Sequence, residues 1–400
     1  MTLPIAWADA REAVFEAGSA VASSPVPVPL VESDGLTLAE PLTTLTALPA
    51  FPTSSVDGWA VRGPAPWQIV GRVLAGDHAE PLTAEGTCVE IATGGMVPEG
   101  TLFVVRTEDS TVEGRRVVSG EPRKIPDWRL TGEEAALGEE LLPAGTPITP
   151  GVIGLAAACG YDTLSCRPKP RSALLVFGDE LLTDGVPGGG RVRDALGPSL
   201  PSWLRRAGTD VVHHRAPVAD TLEEHVAALR AAVNAGAQVI CTTGGTMHGP
   251  VDHLHPALAE LGATYIVNTV AVRPGFPMLV AQLPGGQFVA GLPGNPQSTF
   301  VALVSLVLPL LAGLTGRAQP AHSTIKLGAD IPGRGDYTHL ALVRRDPLDG
   351  MGYPVAHAGS SMLRGLANSI GFAIIPPGGR GLAGTPALLV PLPILDGERV

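Results

Sequence analysis

The sequence predicts a multi-domain α/β plus β protein, with a central parallel-sheet α/β domain, a β-rich insert before it and a small C-terminal β domain. Three observations predict this class. At 400 residues and 41.0 kDa the chain exceeds what one hydrophobic core ordinarily serves, so two or more domains are expected. From Arg171 onward, apolar strand-like runs alternate with helical patterns, which is the order of βαβ units. On either side of that stretch, short apolar runs are broken by glycine and proline, 50 and 39 in the chain, and these force frequent turns.

Taken in order, Trp7 to Ala22 reads as a short helix, and the alternating prolines of SSPVPVPLVESDG force an extended connector. From Leu45 to about Val118, runs such as WQIVGRVL and TLFVVRTED read as strands of the insert. An Ala-rich helix follows between Pro150 and Gly160, with proline near its start and glycine past its end. RSALLVF, TDVVHH and AQVICTT then read as strands, separated by helices at Leu196 to Ala207 and Leu222 to Asn234 and followed by one at Pro250 to Leu261. Right-handed crossovers close such units into an open sheet whose ligands bind beyond the strand C-termini. FVAGLPGNPQSTF gives a last strand, a turn and a helix capped by Asn295 with Pro296 in its first turn. After about residue 319 short strands return.

Apolar residues make up 45% of the chain and charged ones 16%, which excludes a disordered chain. Against 38 acidic residues stand 27 basic ones, for a net charge of −11, and no stripe of Lys and Arg could neutralise a phosphate backbone; no nucleic-acid partner is expected. An anionic substrate must instead be held by local backbone amides and single basic side chains. Cys88, Cys159, Cys166 and Cys241 show no CxxC spacing, so reduced, buried thiols are expected. The N-terminal residues lack a secretory pattern, pointing to a cytoplasmic protein. Phe300 to Leu314 is short for a bilayer and contains Pro309, so a buried helix is expected and no membrane role.

Chemistry-bearing residues fall where an α/β sheet presents its ligands. In TTGG, Thr243, Gly244 and Gly245 let the backbone approach a phosphate, or form a plain turn. Asp179, Glu180, Asp220 and Asp252 sit at strand ends and helix starts, where carboxylates either hold Mg²⁺ or act as caps. His248, His253 and His255 raise a zinc site, but their spacing matches no established ligand pattern. In the insert, Asp57 of VDGWAVRG sits with Ser54, Ser55 and Gly58 in a polar loop entering a strand, with an Asp-Gly turn as the plain alternative. Thr93, Gly94 and Gly95 of IATGGMVPEG offer a hydroxyl and backbone amides suited to an oxyanion, with a hairpin as the plain alternative.

In this order, VDGWAVRG, IATGGMVPEG, GEELLPAGTPITP, FGDEL, TTGGTMHGPVD, VRPGFP, GLPGNPQS and GSSMLRGLANSIGFAIIP resemble the molybdopterin molybdenumtransferase family, which includes the E domain of gephyrin. The resemblance implies an elongated four-part subunit: residues 1–44 with 119–167 as a linker domain, 45–118 as the insert, 168–318 as the molybdopterin-binding α/β domain and 319–400 as the C-terminal β domain. It implies a homodimer whose cleft lies between the α/β domain and the other subunit's insert. It also implies molybdenum cofactor biosynthesis: molybdate enters adenylylated molybdopterin, with Mg²⁺-dependent release of AMP, alongside other cofactor-biosynthesis proteins. By motif position, Asp57, Thr93, Glu134, Asp220 and Arg273 are the implied catalytic residues. Thr243, Gly244, Gly245, Pro293, Gly294, Asn295, Pro296 and Ser298 are the implied substrate-binding residues, and Asp179, Glu180 and Asp252 the implied metal ligands.

The chain departs from the family pattern at identifiable places. Phe177 stands where the family has Thr before GDEL, Met247 replaces a serine, and Asp194, Ala195 and Leu196 replace an Asp-hydroxyl-Asn run. Pro52 and Thr53 replace an Asp-Asn pair, and Phe276 replaces the second lysine of KPGKP, a ring in place of an ammonium. These changes remove hydrogen-bonding groups and a cation, which His248, Arg273 or Arg191 would have to supply. Two other readings stand beside the transferase: a divergent paralogue that binds a pterin nucleotide or a partner protein without turnover, and a generic nucleotide-binding α/β enzyme with no role for the insert.

Overall fold

The computed structural model describes residues 3–121, 123, 126–247, 249 and 252–393. The chain divides into two compact units: one comprises Met1–Val26, Gly35–Ala39 and Cys166–Val400, the other Pro27–Asp34 and Glu40–Ser165.

In the first unit the α/β sheet contains, in chain order, β1 (Arg171–Phe177), β2 (Asp210–Val218), β3 (Val239–Thr243), β4 (Thr264–Asn268), β5 (Leu279–Gln282) and β6 (Phe288–Leu292). Among the described residues its order is β2-β1-β3-β6-β5-β4. The first four are parallel, as the strand–helix alternation predicts, whereas β5 runs antiparallel to β6 and β4 antiparallel to β5. The sheet is therefore mixed rather than wholly parallel. The reason is local: only a short Pro-Gly-Gly turn separates β5 from β6, too little for a crossover helix.

The helices are α1 (Trp7–Ala20), α2 (Pro150–Ala158, in the second unit), α3 (Leu196–Arg206), α4 (Leu222–Asn234), α5 (Leu254–Glu260), α6 (Pro296–Ala302) and α7 (Leu308–Leu314). β1 shows why this sheet is covered on both faces. Leu174 and Val176 pack in one core with α1, α3 and α6–α7, while Ala173, Leu175 and Phe177 pack in another with α4 and α5. Between α6 and α7 the helix widens into a π-helical turn, Leu303–Val307. The whole stretch Pro296–Leu314 is long and apolar enough to cross a membrane, but 94% of it is buried inside the protein, where it forms the core helix of this sheet.

A second sheet in this unit joins Thr338–Arg345, Gly371–Ile375, Pro386–Pro391, Ser323–Lys326 and Gly352–Pro354 to two distant segments, Ile5–Ala6 and Val270–Arg273. Val272 and Arg273 pair with Thr338 and His339. In the second unit Gly58–Arg62 lies between Thr87–Ile91 and Phe103–Arg106, at the end of a sheet that continues through Trp67–Val73. Gly58 is obligatory there, because a Cβ would stand 2.1 Å from the Val105 carbonyl oxygen. The four cysteines are free and buried.

Candidate active site

Strand register builds the site. Val176 of β1 pairs with Thr243 of β3, and Thr243 pairs with Leu292 of β6, so the segments beginning Gly178, Gly244 and Pro293 leave the sheet side by side. The connection from β1 goes to β2 on one side and the chain then returns to β3 on the other, so β1 and β3 flank the point where strand order reverses and α/β sheets open a crevice.

The turn after β3 is shaped by glycine. Gly244 and Gly245 have φ of +88° and +67°, left-handed values that side chains resist. The Gly244 amide donates to the Leu292 carbonyl (3.1 Å), and a Cβ on Gly244 would stand 3.1 Å from the Phe177 carbonyl oxygen. Gly294 lies on the other side, its missing Cβ 3.6 Å from the Gly244 Cα. Under the turn sits His225, fully buried, its ring stacked 3.7 Å from Phe177. Its Nδ1 donates to the Thr221 carbonyl (2.9 Å), burial pushes its pKa down, and Nε2 is buried with no hydrogen-bond partner among the described residues.

The carboxylates after β1 and β2 are brought together but engaged locally. The Asp179 amide donates to Asp220 Oδ2 (3.2 Å) and the Asp220 amide to Asp179 Oδ1 (3.3 Å). Burial first, then the negative charges of Asp179 and Asp252, push the Asp220 carboxyl above its usual range. Asp252 Oδ2 accepts from the Gly249 amide (2.7 Å), and Glu180 folds back against Gly178. Among the described residues no three metal-ligating side chains converge. Asp179, Glu180 and Asp252 therefore form no ready-made cage: one oxygen each of Asp179 and Asp252 already accepts from a backbone amide, and Glu180 lies against Gly178. The zinc idea fares no better: His255 bonds the Tyr265 hydroxyl (2.6 Å), His253 packs edge-on to His225, and His248 lies outside the described residues. Beside Asp179 a cavity of about 640 Å³ is lined by Leu181, Arg191, Arg215 and Glu224, with Arg191 reaching the Asp179 carbonyl at 3.4 Å.

A larger cavity, about 890 Å³, is lined by Arg273, Phe276, Pro293, Asn295, Ser298 and Arg334, with Tyr337 and Ser360 also on its wall. Asn295 occupies the N-cap position of α6, but its side chain makes no capping bond. The second helical amide, Gln297, donates to the Ser360 carbonyl instead (2.9 Å), and the Thr299 hydroxyl satisfies the Pro293 carbonyl (2.6 Å). The Asn295 amide is thereby left facing the cavity. Oriented to satisfy its surroundings, the Gln297 side-chain nitrogen donates to the carbonyls of Ala358 and Gly359 (2.7 and 2.9 Å), which fixes the loop carrying Ser360. No carboxylate among the described residues pairs with Arg273 or Arg334, so two guanidiniums face this space uncompensated. Arg334, Tyr337 and Ser360 were not singled out from the sequence. The glycine-rich turn IPGRGDY and the adjacent serines of GSS are the signals that could have found them.

In the second unit Asp57 precedes Gly58–Arg62 and Thr93 follows Thr87–Ile91. These neighbouring antiparallel strands bring the two residues to one end, where the Thr93 amide (2.7 Å) and hydroxyl (2.9 Å) both donate to Asp57 Oδ1. Those bonds hold the exposed Asp57 carboxyl below its usual range. Glu134 is exposed, and its backbone amide bonds the Leu48 carbonyl (2.9 Å); it does not join that pair.

Comparison with known proteins decides the family. Residues 5–160 match the family described as "MoeA N-terminal region (domain I and II)" and residues 173–313 the one described as "Probable molybdopterin binding domain". The chain is 32% identical over 383 residues to a molybdopterin molybdenumtransferase of Synechococcus elongatus, covering 90% of this chain and 92% of that one. The chain belongs to the molybdopterin molybdenumtransferase family. A Bacillus subtilis molybdopterin molybdenumtransferase is 30% identical over 365 residues, with 86% and 84% of the two chains covered. The solved MoeA molybdopterin biosynthesis protein of Pyrococcus horikoshii OT3 has the same fold, with a TM-score of 0.79 at 20% identity over 97% of this chain and 99% of that one. As a molybdopterin molybdenumtransferase family member, the chain is an enzyme of molybdenum cofactor biosynthesis.

Proposed function

We propose that this protein inserts molybdate into adenylylated molybdopterin and releases AMP. The observation that carries the reading is the cavity with two unpaired guanidiniums, whose wall residues Pro293 and Asn295 flank Gly294 where it packs on Gly244, the same glycine that crowds the Phe177 carbonyl ahead of Asp179. A tetrahedral oxyanion fits this cavity: Arg273 and Arg334 supply charge, and Asn295, Ser298 and Ser360 supply hydrogen-bonding groups. The turn Thr243–Gly244–Gly245, with Pro293, Gly294 and Pro296 at its flank, admits the substrate's phosphates close to the backbone. The cavity beside Asp179 then takes the adenylyl end.

The phosphoanhydride breaks when an oxygen attacks phosphorus in line, and the protein's part is to place that oxygen and neutralise charge before reaction. In the proposed step a molybdate oxygen held by Arg273 and Arg334 attacks the adenylyl phosphorus, and the bridging P–O bond breaks with the pterin phosphate as leaving group. Water hydrolyses the resulting mixed anhydride to AMP and molybdate, and the two pterin sulfurs take up the molybdate as an oxide leaves as water. Mg²⁺ suits the carboxylates despite the missing cage. It binds readily through one or two carboxylates plus water and substrate phosphate, and Asp220, destabilised as an anion by burial first and then by the charges of Asp179 and Asp252, is where a divalent charge gives most relief. Asp179, Glu180, Asp220 and Asp252 are the residues that would hold the ion, which supplies charge neutralisation on the leaving phosphate. We infer also a homodimer, as the resemblance implies, in which Asp57, Thr93 and Glu134 serve the other subunit's site.

The test is direct: the purified chain, given adenylylated molybdopterin, molybdate and Mg²⁺, forms molybdenum cofactor and AMP. Substrate binding without AMP release would refute the reading in favour of a binding-only paralogue.

A further inference from the structure

We propose that Tyr337 and Phe276 are positioning residues for Arg273, a two-ring corner that holds its guanidinium toward the cavity as the oxyanion-capturing group. This rests on the reading that the cavity receives molybdate.

Arg273 ends the strand Val270–Arg273 and is paired in register with His339. Tyr337 stands just before that partner strand, tied by its amide to the Arg334 carbonyl (3.3 Å), and Phe276 comes from the turn that follows Arg273. The guanidinium carbon lies 4.5 Å from the Tyr337 ring centre and 5.1 Å from that of Phe276. The two rings are 6.0 Å apart at 80°, so they form perpendicular walls. Arg273 is exposed while both rings are half-buried, so the walls are fixed and the cation is what they restrain.

An arginine free in solvent samples many rotamers, and ordering it on binding weakens affinity. Two ring faces attract the guanidinium without using any of its N–H groups, which stay available for bidentate contact with a tetrahedral anion. An acidic partner would also have held the side chain, but it would have cancelled the charge. Phe276 therefore does more than delete the lysine of the related sequences: it replaces a second mobile cation with a wall that orders the first.

The experiment measures molybdate binding by titration calorimetry on the full chain, with the urea midpoint of every variant recorded. Tyr337→Leu and Phe276→Leu should each weaken binding about two- to fivefold, the range expected for an exposed cation–ring contact, while Tyr337→Phe, which keeps the ring, should recover most of the affinity. A purely structural role would instead lower the urea midpoint and leave the affinity of the folded fraction unchanged. The proposal is overturned if the folded Leu variants bind as the native chain does, or if Tyr337→Phe loses as much as Tyr337→Leu. Arg273→Ala separates the two levels. If it binds molybdate like the native chain, or if the native chain binds none, the cavity assignment fails; if it loses binding while the ring variants keep it, only the positioning claim fails.

Discussion

Gly244 and Gly286 share the same positive φ, +88°, but not the same surroundings. A Cβ on Gly286 would meet nothing within 4 Å, whereas one on Gly244 would stand 3.1 Å from the Phe177 carbonyl oxygen. Replacing each by alanine therefore separates backbone strain from close approach. A left-handed alanine costs about 1–2 kcal/mol, and the stiffer unfolded chain returns about 0.4–1 kcal/mol, so Gly286→Ala should lose about 1 kcal/mol. Gly244→Ala carries the same loss plus about 1 kcal/mol more to ease the crowded oxygen aside, for a total near 2 kcal/mol. The larger consequence is functional, because the turn is packed against Gly294, between the cavity residues Pro293 and Asn295. KM for adenylylated molybdopterin should rise roughly tenfold, the size of effect that follows small misplacement at a site, and Gly286→Ala should leave it unchanged. Urea denaturation and AMP release at saturating molybdate are the assays. Equal stability of the two variants with native KM in both would refute the claim that this glycine lets substrate approach the backbone.

Arg11 is 3% exposed and donates to the carbonyls of Val304 (2.8 Å) and Pro320 (3.1 Å), with its pKa pushed down to about 10 by burial; Arg11→Met should cost about 3 kcal/mol in urea denaturation, since two carbonyls lose a charged donor. Burial holds His214, His225, His322 and His339 below the ordinary imidazole value of 6.5. The unfolded chain therefore takes up protons first as pH falls, so the histidine contribution to stability is full above 6.5 and is lost as pH drops toward the depressed folded values. Urea midpoints at fixed ionic strength should match at pH 7.5 and 8 and decline at 5.5. Asp252→Asn keeps an oxygen for the Gly249 amide, so folding should hold while Mg²⁺-dependent AMP release falls at least about a hundredfold; unchanged release would remove Asp252 from the metal site.

What was legible in the sequence follows from what local pattern can encode. β1 occupies Arg171–Phe177 and α4 Leu222–Asn234, as read, because a strand buried on both faces is a continuous apolar run and an amphipathic helix keeps its period. The expected helix at Pro250 to Leu261 is found only from Leu254 to Glu260 within the described residues. The recruitment of Ile5–Ala6 and Val270–Arg273 into one sheet was not legible, since pairing between segments so far apart leaves no periodic trace in either. The same holds for the large cavity: Arg273, Arg334 and Ser360 come from three distant turns and meet only through the sheet that carries them. Asn295 shows how a correct position can hide a different use. Its place before Pro296 reads as a cap, yet Ser360 takes the amide contact and frees the side chain.

The departures from the family pattern also change meaning once they are placed. Phe177 is 4% exposed and faces the helical layer with Leu175 and Ala173, so its ring does not enter the crevice; it stacks on His225 and sets the carbonyl that crowds Gly244. A change there alters the support under the turn rather than a contact to substrate. Asp194 accepts from the amides of Leu196 and Gly197 (2.9 and 2.8 Å), so it is spent on starting α3. Met247 is 55% exposed, and nothing in the structure explains it. Phe276 touches a group with the chemistry to bind an anion, the Arg273 guanidinium. If these substitutions had disabled the site, Arg273 should have acquired an acidic neighbour or been covered. Instead it stands uncompensated between two rings at the mouth of the cavity, an arrangement in which positive charge is retained with fewer cations, each more firmly aimed.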